Sequence, residues 1–130
     1  MRTVFAVVLC FVLVGCASTR PSGDGRADPD LISREQILDS GAETVYDAVY
    51  RLRHEWLSGR GFSSGRTPVV FRDHFQMGEV EVLKSMAIDG IYSIEWLSLM
   101  EASSVLLSGG GPDGTASGVI AVWTKPPDRR

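Results

Sequence analysis

The sequence predicts an α/β (α+β) domain, a small mixed sheet with short helices, and three segments carry that reading. Val45, Ala48, Val49, Leu52 and Trp56 recur at helical spacing, which places them on one buried helix face. Ile91 to Leu97 alternates, with Tyr92, Ile94 and Trp96 on one side, the period of a strand. Val119 to Thr124 is apolar on both sides, Val119, Ala121 and Trp123 on one and Ile120 and Val122 on the other. A strand apolar on both faces belongs in the middle of a covered sheet. Helices alternating with strands of this kind give a layered domain.

The elements follow in order from Ser33. Ser33-Arg34-Glu35-Gln36 has the form of a capping box ahead of Ile37 and Leu38, so a short helix is expected, ended by Ser40-Gly41. A second box, Ser40 with Glu43, is expected to open the long helix from about Ala42 to Leu57, with Arg51, Arg53 and Glu55 off its apolar face. Gly59 and Gly61 punctuate its end. Val69-Val70-Phe71 after Pro68 reads as a strand. Val80, Leu83 and Ala87 suggest a short helix over Glu79 to Ala87, with Glu79 and Glu81 near its positive end. Leu99, Ala102 and Leu106 favour another helix over Leu99 to Leu107. Pro126-Pro127 stop the last strand.

Ahead of Ser33 the composition changes. Arg2 precedes an apolar run from Val4 to Val14, followed by Gly15 and Cys16. The run is about eleven residues, short of the roughly 20 needed to span a bilayer. Leu13-Val14-Gly15-Cys16 resembles the lipobox of bacterial lipoproteins. The resemblance implies a signal peptide over residues 1–15, lipid on the Cys16 thiol, cleavage before it and acylation (palmitate) of the new amino terminus. Ala17 after Cys16 is not the Asp associated with inner-membrane retention, so the resemblance implies the outer membrane, on its periplasmic face. Residues 16–32 then read as the lipidated cysteine and a flexible tether, rich in Gly, Pro, Ser and Asp. Such a tether reaches about 20–24 Å. The domain is expected over 33–126, with 127–130 as a tail.

Composition limits what the domain can be. Cys10 falls within the signal and Cys16 carries lipid, so the two cysteines leave no disulfide pair and stability rests on a packed core. The apolar fraction of 44% permits one, and a domain near 90 residues buries about 60–65% of its unfolded surface. Once Arg2 leaves, 13 Lys+Arg fall to 12 against 16 Asp+Glu, a net of −4 with the arginines interleaved among acids. Arg129 and Arg130 form only a short basic tail. A nucleic-acid partner, which calls for a basic patch or stripe, is not expected.

From Pro68 to Lys125 the chain resembles the plug domain of TonB-dependent outer-membrane receptors. Pro68-Val69-Val70-Phe71-Arg72-Asp73 stands for the plug's x-V-x-x-D-G strand, and Val82-Leu83 for its Leu-containing turn. Ile91-Tyr92-Ser93-Ile94-Glu95-Trp96-Leu97 is similar to I-E-x-I-E-V-L, and Glu101-Ala102-Ser103-Ser104 through Gly110 to the small-residue segment. Gly118-Val119-Ile120-Ala121-Val122-Trp123-Thr124-Lys125 is similar to G-V-I-x-V-x-T-K. The matching motif positions are Asp73, Ile94, Glu95, Gly118, Val119 and Ile120. His74 departs from the usual Gly after Asp, and Ser108 stands near an expected Tyr. Receptor plugs are fused to a large barrel needing at least eight strands of about 9–11 residues. The sequence after Lys125 is too short for one, so the expectation is a plug-like fold without the transporter's function.

Reaction chemistry finds little footing. Gly109-Gly110-Gly111-Pro112-Asp113-Gly114 satisfies G-x-G-x-x-G in form, yet a strand follows where the dinucleotide fingerprint needs a helix, and Pro112 lacks a donor. It reads as a turn. His54 and His74 are the only histidines, with no His/Cys cluster for the three or four ligands of a zinc site. Gly61-Phe62-Ser63-Ser64-Gly65 does not reproduce a nucleophile elbow. Neither enzyme activity, metal nor cofactor is expected. Trp56, Trp96 and Trp123 fall on apolar faces and read as core, while Arg51, Arg53, Arg60, Arg66 and Arg72 read as surface with some capacity to meet anionic lipid or an acidic partner. The expectation is a lipid-anchored interaction module whose partner is an outer-membrane receptor, a transport system or another periplasmic protein. The alternative is a lipoprotein that binds a small ligand or glycan, which exposure of Trp96 or Trp123 in a cleft would support and burial of both would count against.

Overall fold

The computed structural model describes residues 27–60, 65–106, 111–112 and 114–128. Leu13, Val14, Gly15 and Cys16, the signal and most of the tether lie outside the described residues, as do Gly109, Gly110 and Asp113 of the turn at 109–114. The fold is a small mixed α+β sheet with short helices. Its five strands are β1 (Leu31–Ile32), β2 (Val69–Arg72), β3 (Phe75–Glu79), β4 (Ser93–Leu97) and β5 (Val119–Trp123), in the order β1-β4-β5-β2-β3. The β2–β5 pair is parallel and the others are antiparallel. Helices α1 (Arg34–Asp39), α2 (Val45–Arg53) and α3 (Leu99–Val105) are joined by 3-10 turns at His54–Ser58 and Val80–Ser85.

The strand pattern divides the core in two. Val70, Ile94, Trp96, Ile120 and Val122 face α1, α2 and both 3-10 turns, packing with Ile37, Val49, Trp56 and Leu83. Phe71, Leu97, Val119, Ala121 and Trp123 face the other way, where Ala102 and Leu106 of the α3 segment cover them. Every residue of β4 and β5 is buried, as a pair of central strands requires. The α3 segment shares this cluster with Leu97, Val119, Ala121 and Trp123.

Local chemistry explains where the elements begin and end. Ser33 and Gln36 form the capping box of α1 as expected. The long helix differs. Its N-cap is Thr44, whose Oγ1 accepts from the Asp47 amide at 3.1 Å, while the Ser40 hydroxyl accepts from the Ala42 amide and donates to the Ile37 carbonyl. Ser40 thus finishes α1 instead of opening α2. At the other end Arg53 leaves helical geometry (φ −151°, ψ 54°), and the tighter turn that follows sends Trp56 into the core with no exposure. Gly59 closes this turn at φ +81°, and a side chain there would also meet the Ser117 Oγ at 2.7 Å, so glycine is required twice over.

Two strands were not legible. β1 lies in the segment assigned to the tether, yet it pairs with β4, Leu31 opposite Glu95 and Ile32 opposite Ile94. Arg53 donates to the Asp28 and Pro29 carbonyls at 3.1 and 3.2 Å, and Arg60 to the Asp30 carboxylate. The domain boundary therefore moves back from Ser33 to about Asp28. β3 occupies a stretch expected as turn and helix start. A two-residue turn at Asp73-His74 folds it back on β2 with a register shift near Val70 and Phe71. The helix expected over Glu79 to Ala87 is a 3-10 turn, Val80–Ser85, and Tyr92 stands just outside β4, 43% exposed.

Candidate functional site

β2, β5 and β4 are neighbours in the sheet, so Asp73, Ile94, Glu95, Gly118, Val119 and Ile120 lie on or beside three adjacent strands. Asp73 adopts φ +53°, and its carboxylate accepts from the Thr124 amide at 2.9 Å and from the Thr124 hydroxyl at 2.9 and 3.1 Å. The hairpin turn is thereby fastened to the end of β5. Gly118 leaves room for Trp96, whose Cζ2 would lie 2.4 Å from an added Cβ. Ile94 and Ile120 are fully buried on the helical face, and Val119 is fully buried on the other. Glu95 differs from these packing positions. It is a carboxylate only 6% exposed, and its Oε2 accepts from the Trp123 indole N–H at 3.1 Å.

Glu95 and Leu31 stand between two hollows. One, of about 420 Å³, is lined by Leu31, Ser33, Arg34, Glu35, Tyr92, Ser93, Glu95 and the Pro126-Pro127 pair. The other, of about 380 Å³, adds Asp28, Asp30, Trp96, Leu97 and Glu101. Ser93 shares the strand face of Glu95, is 4% exposed, and its hydroxyl has no hydrogen-bond partner. Arg34 donates to the Ile91 carbonyl, which holds its guanidinium at the mouth of the first hollow. The carboxylates of the second are engaged locally. Asp28 accepts from the Asp30 amide, Asp30 from Arg60, and Glu101 closes the capping box of α3 with Ser98.

The two histidines singled out by sequence do not line either hollow. His54 is exposed beside Glu55 at 3.7 Å, whereas His74 lies edge-on to Trp123 with ring centres 5.7 Å apart. Among the described residues no three His, Cys, Asp or Glu converge as metal ligands. Trp56 and Trp96 pack on each other at 6.2 Å, and Trp96 and Trp123 are 9% and 1% exposed. Arg51, Arg53 and Arg60 bind backbone or carboxylate oxygens of the fold, while Arg66 and Arg72 are exposed. Sequence reasoning missed Ser93 and Leu31 as neighbours of Glu95. Alternation along β4 puts Ser93 and Glu95 on one face, a signal present in the sequence, but the partner strand β1 was hidden in the tether.

Comparison with family models, with curated proteins and with solved structures produced no match in any of the three.

Proposed function

We propose that the protein is a lipid-anchored envelope protein whose α+β domain is a non-enzymatic interaction module, with an outer-membrane receptor or transport system as its partner. Leu13-Val14-Gly15-Cys16 supports the anchor on Cys16, and the order of the Asp73, Glu95 and Gly118 motifs supports the plug-like reading. The observation that carries the interaction role is the groove beside β1 and β4. There a buried carboxylate, the partnerless Ser93 hydroxyl and the apolar walls of Leu31, Tyr92, Pro126 and Pro127 meet in one groove. Phe75 and Met77, 72% and 43% exposed, lie on β3 at the opposite edge of the sheet.

The small-ligand or glycan reading would be supported by a tryptophan face exposed in a cleft. Both Trp96 and Trp123 are buried, which counts against it. The test of the interaction role is crosslinking in cells at native expression, with a carboxyl-terminal tag and mass spectrometry. Repeated recovery of one outer-membrane barrel or its energising complex is the expected result. Recovery of abundant envelope proteins alone would overturn it.

A further inference from the structure

We infer that the groove beside β1 and β4 binds an extended, proline-containing segment of a partner protein. The inference rests on the interaction-module reading and names the chemistry of its contact. The groove holds about 420 Å³, the size of an ordinary ligand site. Its apolar lining is an aliphatic chain, an aromatic ring and two pyrrolidine rings, those of Leu31, Tyr92, Pro126 and Pro127. Tyr92 is 43% exposed, so part of this apolar surface is left for a partner to cover.

The polar lining selects what can enter. The Glu95 carboxylate is already engaged, by the Trp123 indole N–H and by a further interaction. The unspent capacity lies with donors. Ser93 lines the groove at 4% exposure, and its hydroxyl has no partner among the described residues, which is uncommon for a buried polar group. Arg34 gives an N–H to the Ile91 carbonyl and carries others, and Tyr92 adds a phenolic O–H. Such a set calls for carbonyl or carboxylate oxygens. A carboxylate would have to approach Glu35 and Glu95, which line the same groove, and like charges brought together are costly. A neutral carbonyl remains. An ordinary extended peptide brings as many N–H groups as carbonyls, and here the buried acceptor, Glu95, is taken. A prolyl residue brings the carbonyl without the N–H. Its ring packs flat on tyrosine and proline, and its extended helix is formed before binding, so little order is lost on docking.

The full chain, ¹⁵N-labelled in dodecyl maltoside micelles, would be titrated with a capped hexaproline peptide and with a Gly-Ser peptide of the same length. The backbone amide resonances of Tyr92 and Ser93 should move saturably with the proline peptide and not with Gly-Ser. Tyr92→Ala should weaken the proline peptide about tenfold. Ser93→Ala should weaken it about fivefold with no loss of thermal stability, because this hydroxyl bonds nothing within the described fold. No saturable movement, an equal response to Gly-Ser, or unchanged affinity in either variant would overturn the assignment. Dihexanoylphosphatidylcholine offers ester carbonyls and apolar chains without N–H groups. Movement of the same resonances at lower concentrations of this lipid than of the peptide would make the occupant lipid and overturn the assignment. A photocrosslinker at Glu35, an exposed residue of the lining, then separates this inference in cells from the function it rests on. Crosslinks to a proline-rich stretch of one partner, lost in Tyr92→Ala, support both. Crosslinks to one partner outside any proline-rich stretch keep the module and overturn the groove's ligand. Peptide binding with no captured partner overturns the module, and with it a partner's proline segment as the occupant.

Discussion

Replacing Gly118 by alanine probes the tightest contact between the two central strands. The new Cβ would stand 2.4 Å from Trp96 Cζ2, 2.9 Å from Cε2 and 3.0 Å from Cη2, whereas carbon atoms pack at about 3.5–4.0 Å. Relief requires roughly 1 Å of movement. Trp96 has Trp56 behind it, and Gly118 is held by the bond from the Val69 amide to its carbonyl at 3.1 Å. Neither side yields freely. Overpacking of this kind costs about 1–3 kcal/mol, and in a domain near 100 residues each kcal/mol lowers Tm by about 4–8 °C. Thermal unfolding of the full chain followed by circular dichroism should therefore show a fall of roughly 5–20 °C. Trp96→Phe removes the ring that obstructs, so the penalty of Gly118→Ala should shrink in that background by at least about 0.5 kcal/mol. A fall under roughly 2 °C, or an equal penalty in both backgrounds, would refute the argument.

Three further outcomes follow from single contacts. Glu95→Ala leaves the buried Trp123 N–H without this acceptor and should cost about 1–3 kcal/mol in denaturant unfolding, whereas Glu95→Gln, whose amide oxygen can still accept, should recover most of the loss. Thr44→Ala should cost about 0.5–2 kcal/mol by the same assay, because Thr44 caps α2, while Ser40→Ala should leave the α2 start intact by NMR secondary shifts. Arg53→Ala removes the bonds to Asp28 and Pro29, so limited proteolysis should cut near residues 28–32 sooner than in the wild type, whereas Arg66→Ala should not change the cutting.

The legible parts of the fold were those in which local pattern and tertiary place agree. β5 is apolar on both faces and is central, and Ser33 and Gln36 cap α1 as their spacing implies. The parts that were missed depend on distant partners. Leu31–Ile32 has no strand pattern of its own and becomes β1 only because β4 offers an edge and Arg53 and Arg60 hold the preceding residues. Phe75–Glu79 alternates over only three residues, Phe75-Gln76-Met77, and an internal Gly78 argues against a strand, yet the Asp73 turn fastened to Thr124 lays it beside β2. The site divides in the same way. Asp73, Glu95 and Gly118 could be picked out by motif, but a groove needs the meeting of β1, β4 and Pro126-Pro127, which no single segment encodes.

The measurement that bears most directly on the central claim is the intact mass and amino-terminal peptide mass of the protein recovered from bacterial membranes, wild type beside Cys16→Ser. A lipid-anchored module predicts an amino terminus at Cys16 carrying diacylglyceryl and acyl groups, and neither processing nor membrane retention in Cys16→Ser. A wild-type chain that retains Leu13-Val14-Gly15, or that begins at an unmodified residue, would contradict the account.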